Sequence, residues 1–220
     1  MNMAGNDVSL IAMLATAALL PFVVAVGTCY IKFTVVFTLV RNALGLQQVP
    51  SNMVINGISL ILAFFVMQPI VLELYDAYTA LERPPGSVVE LVQFLDTSLD
   101  GYKAYLVRHA DPDLLRFFHH AQTPGELPVE MIDPQERSLL ELLPAYALSE
   151  LKDAFLMGFY LYLPFVIVDL VVSSILLSLG MMMMSPVTVS APIKLVLFVM
   201  LDGWAMLSTG LVQQYIDVIP

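Results

Sequence analysis

Charge is scarce in this sequence: 13% of its 220 residues are charged and 59% are hydrophobic, against about 25% charged in an ordinary soluble domain. That composition argues against a water-soluble globule. Basic residues are scarcer still, nine Lys and Arg against nineteen Asp and Glu for a net charge of −10. No basic field exists to gather a phosphate backbone, which argues against nucleic-acid binding. The one cysteine, Cys29, closes no intrachain disulfide and reads as a small packed residue. Missing too are a glycine-rich phosphate loop, a nucleophile motif and a cysteine pair. No catalytic residue, cofactor site or metal site is expected, and the chain does not read as an enzyme. Nor does any segment alternate with the period of a strand.

What remains is long apolar runs around an acidic middle. From Glu73 to Asp153 there are fifteen acids and six bases, and outside that window four acids and three bases. The uncharged gaps span 24 residues from Val8 to Ile31, 31 from Asn42 to Leu72, 15 from Ala154 to Val168 and 24 from Leu170 to Ile193. A helix crosses a bilayer core with roughly 20 apolar residues. Four hydrophobic helical segments follow, near 9–31, 53–75, 154–180 and 190–216. The first has Asp7 rather than a basic residue before its apolar run, so it reads as retained rather than as a cleaved signal. Asn42, Gly45, Pro50, Ser51 and Asn52 make one joint, and Ser185, Pro186 and Pro192 the other. The fold class is all-α: an apolar hairpin over 1–76, an acidic helical insert over 77–150, and a second apolar hairpin with a Met-rich turn over 151–220. Lys32, Arg41 and Lys194 lie near the joints and place these on the cytoplasmic side, with the insert and termini outside.

Within the insert, Val88, Leu91, Val92, Leu95 and Leu99 recur at helical spacing. Asp113 suits an N-cap for a short helix through Leu114, Leu115, Phe117 and Phe118, and Ser138 suits the start of another before Pro144. His119 and His120 with Asp111 and Asp113 superficially suggest metal ligands, but adjacent histidines diverge on a helix and no second cluster completes a shell. Both are expected on a solvated surface.

Three ionisable residues interrupt the apolar helices: Asp169, Lys194 and Asp202. Counting outward from Ser185 and Pro186 places Asp169 and Asp202 at similar depth in an antiparallel hairpin. One reading is a proton or cation relay in a stand-alone channel or transporter. The other is a set of intersubunit or packing charges in helices that do not face lipid. Gly180 precedes four consecutive methionines, Met181, Met182, Met183 and Met184, and Ser185-Pro186 follows. In one copy this is an apolar turn. Repeated around an axis, soft thioether chains can close a pore against water and ions and still yield to an object passing through. A scaffold whose acidic insert binds a partner is a third reading, and it would tolerate loss of the Met run.

Several blocks in order carry a family resemblance. They are Thr28-Cys29-Tyr30-Ile31-Lys32-Phe33, Leu39-Val40-Arg41-Asn42-Ala43-Leu44-Gly45, Leu142-Leu143-Pro144-Ala145-Tyr146 with Ser149-Glu150-Leu151-Lys152, the Met run with Ser185-Pro186, and Pro192-Ile193-Lys194-Leu195-Val196-Leu197-Phe198 with Asp202-Gly203-Trp204. Together they resemble the FliP/SctR family of type III secretion export-gate proteins, over nearly the whole chain and most weakly over 77–138. Leu46-Gln47-Gln48-Val49-Pro50-Ser51-Asn52 and the acid-flanked N-terminus resemble its virulence (injectisome) branch, SctR, of the SpaP type. The resemblance implies a non-enzymatic pore subunit. Five copies would assemble in a pseudo-helical gate with SctS-type and SctT-type subunits and other basal-body export proteins, and unfolded polypeptides would pass through. It also implies a position within the basal body at or above the periplasmic face of the inner membrane, where the apolar helices pack on one another. The family's methionine constriction falls on Met181, Met182 and Met183, with Met184 just beyond.

Overall fold

A computed structural model of the chain describes residues 14, 18, 21–46, 48–81, 83, 90, 94, 98–122, 133 and 137–216. Its helices are α1 (Pro21–Gly27), α2 (Tyr30–Ala43), α3 (Asn52–Thr79), α4 (Asp100–His109), α5 (Pro112–Gln122), α6 (Leu139–Ser178), α7 (Pro186–Met200) and α8 (Gly203–Ile216). Among the described residues there is no strand, and the all-α expectation holds.

Boundaries differ from the sequence expectation in informative ways. The third apolar segment is not separate from the insert: α6 runs unbroken from Leu139 through Pro144 to Ser178. Pro192 does not help to end a joint but lies inside α7, as Pro69 lies inside α3. The fourth segment is two helices, bent by 59° at Leu201–Asp202. Much of the first segment before Pro21, and Val88, Leu91, Val92 and Leu95, fall outside the described residues. By length and composition α3 and α6 can each cross a membrane, and the bent pairs α1–α2 and α7–α8 raise the number of spans to as many as four.

Local chemistry explains the ends. Helices α2 and α6 both close in a Schellman motif, in which a glycine at positive φ lets its own amide and the next one reach back into the last turn. In the first, Gly45 (φ 76) donates to the Asn42 carbonyl and Leu46 to that of Arg41. In the second, Gly180 (φ 75) donates to Leu177 and Met181 to Leu176. Helix α4 carries Asp100 in its first turn and Arg108 and His109 in its last, both favourable to the helix dipole. The start of α5 is capped by Asp111, whose Oδ1 accepts the Asp113 amide at 2.9 Å. Asp113 is therefore not the cap, because the helix begins at Pro112, two residues before the start that an Asp113 cap would give.

The chain divides into two compact units, Met1–Cys29 with Met67–Glu150, and Tyr30–Val66 with Leu151–Pro220. In the first, Leu106, Ala110 and Leu115 pack against Leu142, Ala145 and Tyr146 of α6. His119 is buried there rather than solvated, its Nδ1 3.3 Å from Oε2 of Glu141, while His120 stays exposed. In the second, α2 is the core: Phe33, Val36, Phe37 and Val40 are buried at helical spacing. Phe33 meets the Tyr215 ring edge-on at 5.8 Å and Phe37 lies 6.1 Å from Trp204. Burying one such phenylalanine contributes about 2–3 kcal/mol.

The outer helices are the reverse. Only 22% of the most apolar window of α3 and 11% of that of α6 is buried, leaving Ile61, Phe64 and Phe65 on one, and Phe155, Phe159 and Ile167 on the other, uncovered. Apolar faces of this extent require lipid or protein against them.

Candidate functional site

The methionine run lies in a short link between α6 and α7. Gly180 ends α6 and Pro186 stands at the first position of α7, where its fixed φ suits the helix and its missing N–H is not needed. Ser185 holds the extended cap conformation (φ −69, ψ 121) with no side-chain cap hydrogen bond. Between them Met184 donates to the Met181 carbonyl at 3.2 Å, which folds the four methionines into one turn. Their side chains project outward, 38% exposed at Met181, 79% at Met182, 101% at Met183 and 45% at Met184. The turn presents a soft, sulfur-bearing tip to whatever surrounds it.

Glycine is required at the end of α6, as it is at the end of α2. Nothing lies within 4 Å of the Cβ position at Gly180, and at Gly45 only Ala191 and Val187 approach, at 3.4 and 3.5 Å. Space is not the obstacle; backbone handedness is. Gly45→Ala and Gly180→Ala should each cost about 1–2 kcal/mol through the left-handed penalty, and Asn at either position should cost less. Thermal unfolding of the detergent-solubilised protein measures both.

Behind the tip lies a charge cluster. Lys194 Nζ donates to Asp169 Oδ2 at 2.6 Å and to the Ala43 carbonyl at 3.0 Å, while the Ser190 hydroxyl, one turn before Lys194, donates to Asp169 Oδ1 at 2.5 Å. The Lys194 side chain is 3% exposed and that of Asp169 29%. Ala43 is the last residue of α2, so the ammonium also sits at that helix's negative end. One lysine thereby ties α2, α6 and α7 together. Asp202 does not join them. It lies exposed at the break between α7 and α8 with φ 50, a left-handed conformation that aspartate tolerates better than most residues.

Sequence reasoning missed several partners here. Arg41 is buried and reaches Pro50 O at 3.1 Å and Asn52 Oδ1 at 2.6 Å, pinning the first joint. Lys32 is buried too, 3.5 Å from Asp153 and 5.0 Å from the Tyr215 ring centroid. Lys32, Arg41 and Lys194 are therefore engaged in packing and are not loop charges. Helical spacing could have found Ser190, four residues before Lys194 on the same face. Among the described residues no group of three His, Cys, Asp or Glu can hold a metal ion.

Residues 13–211 match the FliP family. The chain is 55% identical to "Surface presentation of antigens protein SpaP" of Salmonella typhimurium, over 97% of this chain and 99% of that protein. It is 43% identical to "Yop proteins translocation protein R" of Yersinia pestis, over 96% and 97% of the two chains. It is also 40% identical to "Hypersensitivity response secretion protein HrcR" of Ralstonia nicotianae, over 94% and 96%.

Proposed function

The chain belongs to the FliP family, and from that premise we propose that it is the pore-forming subunit of a virulence-type type III secretion export gate. Two of these relatives are named for translocation and secretion, match it along nearly their whole length, and support a role as a component of the type III secretion export apparatus. The apolar helices α3 and α6 support a place in the inner membrane.

The finer reading rests on the methionine tip. Four outward thioethers on a rigid Gly180–Pro186 frame are of little use to one protomer. Around an axis they form a compliant apolar ring, which excludes hydrated ions because the ring is too dry to replace their water, and which deforms around an unfolded chain. Five copies with SctS-type and SctT-type partners, and a setting at or above the periplasmic face of the membrane, are the arrangement proposed. The uncovered faces of α3 and α6 suit helix-to-helix contact in such an assembly. The alternative, a stand-alone ion carrier built on Asp169, Lys194 and Asp202, is weakened by geometry. Asp169 and Lys194 neutralise each other inside one protomer, and Asp202 is elsewhere.

Native mass spectrometry of the chain co-expressed with SctS-type and SctT-type proteins in mild detergent tests the proposal. A pentamer carrying both partners is expected. A monomer or dimer indifferent to them would refute the ring.

A further inference from the structure

The first apolar run breaks between α1 and α2, yet its own sequence gives weak cause. No proline lies between Val23 and Ala43; Gly27 lowers helix propensity there by about 1 kcal/mol, and Thr28 and Cys29 by less. In an unbroken helix the Gly27 carbonyl would accept the Ile31 amide. Instead it accepts the Tyr102 hydroxyl of α4 at 2.8 Å. The Thr28 hydroxyl donates to the Val24 carbonyl at 2.6 Å at the end of α1.

A second tyrosine continues the contact. The Tyr105 ring stacks on that of Tyr102, with centroids 6.3 Å apart and planes at 13°. Its hydroxyl shares a hydrogen bond with that of Tyr146 at 2.7 Å, and Cys29 lies beside it. Tyr146, Cys29 and Glu150 are fully buried, Glu150 one turn beyond Tyr146 on α6. Burial first, then the neighbouring Cys29 and Glu150, pushes the Tyr105 phenol far above the usual tyrosine range, and burial does the same to Tyr102. Both stay protonated and able to donate. A methyl group on Gly27 would collide with the Tyr102 oxygen. The glycine is thus matched to the tyrosine, and its role extends beyond its own flexibility.

We propose that Tyr102 and Tyr105 are positioning residues that latch the end of α1 at Gly27–Cys29, so that helix α4 holds the first apolar run broken there. Pore formation is not a premise of this inference.

Cys29 is the only cysteine in the chain and is fully buried, so its reaction with N-ethylmaleimide reports opening of the latch. Full-length protein in its assembled complex, in mild detergent, should label slowly. Tyr102→Phe, which removes one oxygen, should label about tenfold faster, and Tyr105→Phe similarly. Gly27→Ala should accelerate labelling in the native background but add little in Tyr102→Phe, where the colliding oxygen is gone. Native labelling rates in both tyrosine variants, or effects of Gly27→Ala and Tyr102→Phe that simply add, would overturn the latch.

Discussion

Asp169→Ala should be the most damaging single substitution in the charge cluster, worse than removal of its partner. It leaves the Lys194 ammonium, 3% exposed, with one neutral acceptor at the end of α2. A buried charge stripped of its counter-ion costs about 3–5 kcal/mol, enough to unfold a marginal protein. Lys194→Met instead leaves a carboxylate that is 29% exposed and still receives the Ser190 hydroxyl. That charge retains some access to solvent, so the loss should be roughly half as large. Asp169→Leu combined with Lys194→Met should recover most of the stability, since a matched apolar pair removes both desolvation penalties. Thermal unfolding in mild detergent and the yield of assembled complex read all three. Should Asp169→Ala assemble and melt normally while secretion alone fails, the cluster is a relay and the packing account is wrong.

The hairpin symmetry behind this prediction was legible in sequence, but the register was not. Centring the turn on Ser185 and Pro186 sets Asp169 opposite Asp202. The observed link runs from Leu179 to Ser185, with Met182 at its middle, and that centre sets Asp169 opposite Leu195, beside Lys194. The two centres differ by about one helical turn, which moves the residue opposite Asp169 by about two, because Pro186 starts the helix and is not part of the turn. The break at Leu201–Asp202 also had a local signal, the Asp202-Gly203 dipeptide, which marks turns even inside apolar runs. Gly203 further requires its missing side chain because the Phe198 ring lies against it.

The break at Gly27–Cys29 had no comparable signal. It depends on tyrosines some 75 residues away in sequence, and single-helix propensity cannot express such a contact. His119 was misplaced for the same reason: its burial comes from Glu141 on another helix. Helix class, the glycine ends and the methionine tip are local facts and could be read directly. Which charges meet depends on register between helices, and that is set by packing.

Replacing Met181, Met182 and Met183 together by Ala should make membranes carrying the assembled gate leak ions, while leaving assembly intact. The three side chains are 38%, 79% and 101% exposed in the protomer, so they contribute little to its core. The turn is fixed instead by backbone, through the Gly180 reversal, the Met184 to Met181 hydrogen bond and Pro186. Truncation to Ala therefore shortens the tip without moving it. A ring of such tips is wider and stays hydrated, and a constriction that no longer dries cannot hold back ions. Secretion should persist, because a wider passage still admits an unfolded chain. The matching triple Leu variant should separate sealing from compliance. It keeps the apolar bulk but has a branched, stiffer side chain, so ion tightness should survive and secretion should slow. Conductance of purified gates in planar bilayers, with secretion assayed in cells, distinguishes these outcomes. A fully assembled triple Ala gate that stays ion-tight would place the seal elsewhere in the molecule.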